Sequence, residues 1–303
     1  MNDLLALFSN NILPFFLAAG SGYLAAKYLG VTPRSLSQVA FYIFSPCLVF
    51  NLLNTSQLTG DDIARMTGFA AIIIFTMGVL AWLFGSLLRL ERRLLVAVLL
   101  TTMFGNTGNY GLSLTLFSFD ETALAYASLY FVTSSILVYT VGVTIASLGS
   151  TDLKTALLGL LKVPAVYAVV MALLFNHFGL RLALPLERTV TLLGDAAIPA
   201  LMVLMGVQLL HARWNGETLA LALANGMRLV ASPAVALGLS LVFGLKGPAF
   251  QAGILESAMP TAVLMTVLAT EYNVEPSFVT ATVFTTTLLS PLTLTPLLAY
   301  LGA

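Results

Sequence analysis

A polar, glycine-rich run, Gly105-Asn106-Thr107-Gly108-Asn109-Tyr110-Gly111, interrupts an apolar stretch long enough to cross a bilayer, and Met259-Pro260-Thr261 interrupts a second. In hydrocarbon every backbone N–H and C=O must be satisfied. Irregular backbone at membrane depth therefore survives only where protein covers it or where it lines a water-filled cavity. The two interruptions lie 153 positions apart, about half the chain. Discontinuous helices at corresponding places in two halves point to a transporter's binding site.

The rest of the chain reads as membrane. Charged residues make up 9% and hydrophobic residues 59%, against about 25% charged in a soluble domain, and the mean hydropathy is +0.97. Apolar stretches of about 20 residues, the length a bilayer requires, are expected ten times: 4–28, 35–54, 63–88, 92–118, 121–148, 154–178, 187–210, 217–244, 248–270 and 275–301. The fourth and ninth hold the interruptions. The longest polar joints, around 54–62 and 179–188, leave no room for a soluble domain. A formal net charge of zero gives no reason to expect a nucleic-acid partner. Cys47, the single cysteine, allows neither an intrachain disulfide nor a cysteine metal site. The N-terminus lacks a basic n-region and its first apolar run is too long for an h-region, so no cleavable signal peptide is expected.

The halves match. An offset of 153 places Pro46 on Pro199, Leu48 on Leu201, Gly85 on Gly238, Arg93 on Lys246, Phe131 on Phe284 and Thr140 on Thr293, and it places the first interruption on the second. An offset of 150 places Pro14 on Pro164. Residues 1–150 and 151–303 thus read as two five-span repeats. An odd number of spans makes the second repeat enter from the opposite side, so the repeats are inverted. Together they form one all-α membrane domain. Joints after odd-numbered spans hold Lys27, Arg34, Arg89, Arg92, Arg93, Lys154 and Arg213, and the other side holds Arg65, Arg181, Arg188 and Lys246. This bias puts both termini outside a cell's plasma (inner) membrane.

Charges within spans are functional candidates by default. Lys162 is near a span end and can snorkel to the interface. Asp195, Arg228 and Glu256 are deeper. The plain structural reading of these three is a mutual ion pair that fixes helix packing. Glu256 stands four residues before Pro260. A carboxylate there can join freed backbone carbonyls around a cation, or bind a proton. Asp195 stands four residues before Pro199, so either acid could exchange a proton or hold sodium. Half-helix N-termini near Gly108 and Thr261 would offer unpaired N–H groups and positive dipole ends to a carboxylate. Asn106, Thr107, Asn109 and Thr261 add neutral donors. The alternative for the first interruption is a packing seam of small residues. Thr133-Ser134-Ser135 and Thr285-Thr286-Thr287 fall at matching depth, where hydroxyls either face a cavity or satisfy their own helix carbonyls. Tyr139 could line a cavity or sit in packing.

On these residues the chain resembles the auxin efflux carrier family, which includes the plant PIN auxin exporters and bacterial permeases for malonate and malate. The segment GMRLVASPAVALGLSLVFGLKGPAFQAGILESAMPTAVLMTVLATEYNVEPS at 226–277 is similar to the PIN ninth-helix region, GDAA at 194–197 to a PIN seventh-helix SDAG, and Gly105-Asn106-Thr107 to the PIN Pro-Asn-Thr break. The resemblance implies ten helices in the arrangement of NhaA and the bile-acid symporters, with helices 4 and 9 crossing at the substrate site. It also implies a scaffold part, an elevator-like transport part and a homodimer. In that family the crossover Asn, here Asn106, contacts the auxin carboxylate. Tyr139-Thr140 matches a site-lining Tyr-Thr pair, and Ser134 stands where PIN proteins have Gln. Glu256 replaces a PIN Gln. It matches a sodium-binding Glu of the more distant bile-acid/sodium symporters, and Asn109 falls near their helix-4 sodium-ligand Asn.

The expectation is an elevator-type secondary active transporter of a small organic anion such as a mono- or dicarboxylate or an auxin-like acid. Asn106, Thr107, Gly108, Asn109, Ser134, Tyr139, Met259, Pro260 and Thr261 would form its substrate site. Glu256, Asp195 and Asn109 would couple the transport to sodium or protons, with Arg228, Pro46 and Pro199 in support. No cofactor is expected beyond a possible sodium ion at Glu256. The alternatives are a cation/proton exchanger of the same fold, an uncoupled anion uniporter and a channel. An intramembrane enzyme would need a Gly-x-Gly-Asp, HExxH or GxSxG motif, and the chain has none.

Overall fold

The computed structural model describes residues 2–55, 58–147, 164–210 and 217–303. Lys154, Lys162, Arg213 and the joint near 149–154 lie outside the described residues. In chain order the helices are α1 (Leu4–Leu29), α2 (Pro33–Thr55), α3 (Gly60–Leu87), α4 (Arg92–Met103), α5 (107–118), α6 (Glu121–Ala146), α7 (Pro164–Phe178), α8 (Leu184–Leu209), α9 (Thr218–Phe243), α10 (Gly247–Ser257), α11 (Leu264–Glu271) and α12 (Pro276–Leu301). Seven of them, α1, α2, α3, α6, α8, α9 and α12, are long and apolar enough to cross a membrane. The pairs α4/α5 and α10/α11 are the halves of the two interrupted stretches, and α7 is a shorter apolar helix. The chain is an all-α, multi-pass membrane protein.

Local chemistry sets the helix ends. A capping box opens α3. The Thr59 hydroxyl accepts from the Asp62 amide at 3.2 Å, and the Asp62 carboxylate accepts from the Thr59 amide at 2.9 Å. The Asp120 side chain caps α6 by accepting from the Ala123 amide at 2.8 Å. Gly30 closes α1 with a left-handed φ of 69°, a conformation that favours glycine.

Small residues bring α1 and α8 together. A Cβ added at Gly206 would collide with the Ala19 carbonyl, and one at Gly22 with the Val203 backbone. This is the close helix approach that small residues permit in a membrane protein. The α2 helix packs on α7 and on the first part of α8, while α10 packs on α6 and α3. Pro46 lies in α2 just after a π-helical turn, Ala40–Phe44, and the Ser45 hydroxyl donates to the Ala40 carbonyl at 2.8 Å. Gly194 of α8 packs on the Cys47–Leu48 backbone, so Pro46 and Pro199 belong to neighbouring elements. Most buried hydroxyls donate to carbonyls one turn back, as at Thr101, Thr102, Thr133 and Thr287. That removes polar surface from the interior without a partner from another helix.

The crossover and its cavity

The two interruptions meet. Phe104 and Gly105 leave α4 in extended backbone, and Gly105 forms an antiparallel bridge with Thr261. The Asn106 amide donates to the Pro260 carbonyl at 2.7 Å, and the Ala262 amide donates to the Phe104 carbonyl at 2.9 Å. Each break therefore satisfies the other's backbone, which is what lets two stretches of irregular chain lie at membrane depth. Thr261 pins the crossing further. Its hydroxyl donates to the Thr101 carbonyl at 2.8 Å, and its amide donates to the Thr286 hydroxyl at 3.2 Å. One member of the 285–287 triplet thus serves the crossing as well as its own helix.

The half-helices leave the crossing with their N-termini toward one cavity of about 230 Å³. Thr107 begins α5 directly after Asn106, whereas α11 begins at Leu264, three residues later than the position expected at Thr261. The delay has a cause, because Thr261 and Ala262 spend their amides on Thr286 and Phe104. The amides of Thr107, Gly108, Asn109, Val263 and Leu264 make no backbone hydrogen bond among the described residues, as the first turn of a helix requires. All five residues line the cavity.

Asn106, Thr107, Gly108, Asn109, Ser134 and Tyr139 line this cavity. Met259, Pro260 and Thr261 form the buried layer beneath it, and Ala262, Val263 and Leu264 supply the surface from that strand. Residues that sequence reasoning did not single out complete the wall: Gln38, Phe41 and Tyr42 of α2, and Leu204 and Gln208 of α8. They sit in ordinary apolar spans, and only the folded arrangement reveals them. No charged side chain lines the cavity among the described residues. The Asn106 amide nitrogen is held by the Met205 sulfur at 3.2 Å, and that of Asn109 by the Gln208 side-chain oxygen at 3.3 Å. A thioether is a weak acceptor, and a carboxylate makes hydrogen bonds about twice as strong as a neutral acceptor does. Both donors are thus available to an anion.

The deep charges take three different places. Arg228 is buried and projects from a π-helical turn of α9, Met227–Ala231. It makes no salt bridge with an acid among the described residues, although its charge lies close enough to Glu256 for the two to attract. Its Nε donates to the Met259 carbonyl at 2.6 Å, one terminal nitrogen to the Thr102 carbonyl at 3.0 Å, and the other to the Ser257 carbonyl at 2.8 Å. Glu256, on the last turn of α10, is 0% exposed, and neither carboxylate oxygen has a hydrogen-bond partner among the described residues. Its carboxylate rests against Gly111 of α5, where a Cβ would collide with it. The Thr115 hydroxyl lies beside it, also without a hydrogen bond of regular geometry. Asp195 lies apart from both, exposed at the joint where α8 bends between Asp195 and Ala197.

Comparison with known proteins agrees with this architecture. The model of a family described as "Membrane transport protein" matches residues 7–154 and 149–298. An "Uncharacterized transporter" of Methanothermobacter thermautotrophicus is 26% identical over 277 residues, covering 89% of this chain and 90% of that protein. A Rhizobium meliloti protein named "Putative malonate transporter" is 27% identical over 301 residues, covering 95% of this chain and 93% of that protein. "Auxin efflux carrier component 1" of Arabidopsis thaliana is 28% identical over 136 residues, 43% of this chain and 21% of that protein. The chain is a membrane transporter and belongs to the auxin efflux carrier family.

Proposed function

We propose that the protein is a secondary transporter that binds a small organic anion, a mono- or dicarboxylate, in the crossover cavity. The observation that carries this reading is the convergence of two half-helix N-termini and the Asn106 and Asn109 amides on an uncharged cavity. Each helix N-terminus is worth about +0.5 of a charge, so the pair balances one carboxylate. The cavity, about 230 Å³, is smaller than the roughly 300–1,000 Å³ of sites for drug-sized ligands, which favours a small acid. The Rhizobium meliloti relative is named for malonate.

The reading extends to the whole chain. Ten membrane crossings form two inverted repeats, 1–150 and 151–303, with the interrupted stretches as fourth and ninth. The cavity is walled by the start of α2, the later part of α6, the end of α8 and α11. These converge on the end of the bundle where the basic joints collect, so by the Lys/Arg bias the cavity opens inward, with both termini outside the plasma membrane. Transport proceeds by an elevator-like movement of the crossover part against the scaffold. An exposed carboxylate near the middle of α8, Asp195, needs cover in hydrocarbon, and a second copy in a homodimer provides it.

Glu256 is the coupling residue. A buried carboxylate without a hydrogen-bond partner is unfavourable by several kcal/mol, so it takes a proton or a cation. Its contact with Gly111 transmits its state to α5, whose first turn holds the anion. A cation/proton exchanger is less well supported, since the cavity has no acid and Glu256 does not line it.

The test is uptake of labelled organic acids into proteoliposomes, with Asn106→Ala beside the parent. Saturable uptake of at least one carboxylate, lost in the variant, is expected. Undiminished uptake by the variant would remove the anion from this cavity.

A further inference from the structure

A sodium ion at Glu256 would need oxygen ligands from the break, since discontinuous helices coordinate sodium through unwound carbonyls and half-helix C-terminal ends. Five of those carbonyls are engaged, while those of Met103, Gly105, Ala258 and Thr261 accept no hydrogen bond among the described residues. Thr102, Ser257 and Met259 accept from Arg228, and Ser257 accepts a second bond from the Ser232 hydroxyl at 2.7 Å. Phe104 and Pro260 accept from the opposing strand. Beside the Glu256 carboxylate lies the Thr115 hydroxyl. Three of the carbonyls a sodium would use are thus already taken by a guanidinium.

Charge leads to the same place. The C-termini of α4 and α10 each carry about −0.5 of a charge, and they converge on the guanidinium that bonds Thr102, Ser257 and Met259. Two such ends sum to about −1 and a guanidinium supplies +1. The fit is steric as well, because a Cβ at Gly105 would collide with the Arg228 guanidinium.

We infer that Arg228 is the built-in counter-cation of the crossover: it fills the carbonyl positions a coupling sodium would use, so the anion binds and moves without sodium. Glu256 is then left to a proton. The inference rests on the reading of the cavity as an anion site, yet Arg228 can be tested separately. A mere strut and a counter-cation differ in one respect, since a counter-cation can be replaced by another cation of the same shape.

Purified protein is melted in detergent in sodium, potassium or low-concentration guanidinium chloride at equal ionic strength. The parent is compared with Arg228→Ala, Arg228→Lys and Arg228→Gln, and uptake is measured in parallel. The parent should melt at one temperature in sodium and potassium. Arg228→Ala should melt several degrees lower and be raised by guanidinium at concentrations that leave the parent unmoved. A saturable, sodium-specific rise in the parent overturns the inference, as does a folded Arg228→Ala that responds to no cation. Should Arg228→Ala not fold, the other two variants decide. Lysine keeps the charge and glutamine keeps only neutral donors, so Arg228→Lys must melt above Arg228→Gln, and the reverse order overturns the inference. Failure of the parent to take up any carboxylate would count against the anion site and leave the melting result standing.

Discussion

Glu256→Met should make the protein more stable while it disables coupling. The side chain is 0% exposed and both of its oxygens lack partners among the described residues. An unsatisfied buried acceptor is unfavourable by about 1–3 kcal/mol. Methionine has similar length, no strong polar atom and enough flexibility to fill the space against Gly111, and a near-isosteric swap in a packed interior loses less than about 1.5 kcal/mol. With two such acceptors relieved, the balance is a gain of about 0.5 kcal/mol at the least and several kcal/mol at the most. Glu256→Gln is the control, since it keeps the shape and an orphan carbonyl, adds a donor, and should bring no gain. Thermal unfolding in detergent reads the stability, and uptake with and without a pH gradient reads the coupling. A methionine variant less stable than the parent would refute the reasoning, because it would mean that the carboxylate contributes net stability through a bound partner. A more stable variant that kept its response to the gradient would remove Glu256 from coupling.

Three further outcomes are expected. Gly111→Ala should lose about 1–3 kcal/mol to overpacking, and combining it with Glu256→Ala should recover most of that loss; additive effects in a double-mutant cycle would mean the two residues do not touch. Gln208→Ala frees the Asn109 amide from a 3.3 Å hydrogen bond and should lower the KM for the transported acid by about 2- to 10-fold, whereas Asn109→Ala should raise it; a change of the same sign in both would place Asn109 outside the anion's reach. Gly206→Val drives a side chain into the Ala19 carbonyl, which backbone cannot yield, so the variant should fail to give a monodisperse peak in size-exclusion chromatography.

The parts of the site legible in the sequence were those that break a pattern. Seven residues with two Asn and three Gly inside an apolar stretch, or a Pro four residues after a Glu, are visible because membrane helices rarely tolerate them. What Arg228 touches was not legible. A deep cation suggests an acid as its partner, but the partners are backbone carbonyls, which every residue carries and no sequence singles out. Asp195 and Glu256 share the same spacing to a proline, yet that spacing does not decide their surroundings. Pro260 sits in the crossing, while Pro199 continues α8 past a bend that leaves Asp195 exposed. For a related reason α11 starts three residues beyond Thr261, because cross-strand bonds, not capping propensity, hold Thr261 and Ala262 out of the helix.

On the proposed reading, the helix ends at the crossing account for the transport of an anion. Breaking two helices at one point creates four helix ends there. The two C-termini need positive charge, and the two N-termini need negative charge. The chain supplies the positive charge itself, as Arg228 with its three carbonyl bonds. For the N-termini it supplies no acid, since the cavity in front of Thr107 and Leu264 has no charged side chain among the described residues and Glu256 is buried behind α5. One pole is closed by the protein and the other is left open toward a cavity. On the proposed reading the negative charge comes from solution, as the carboxylate of the transported acid.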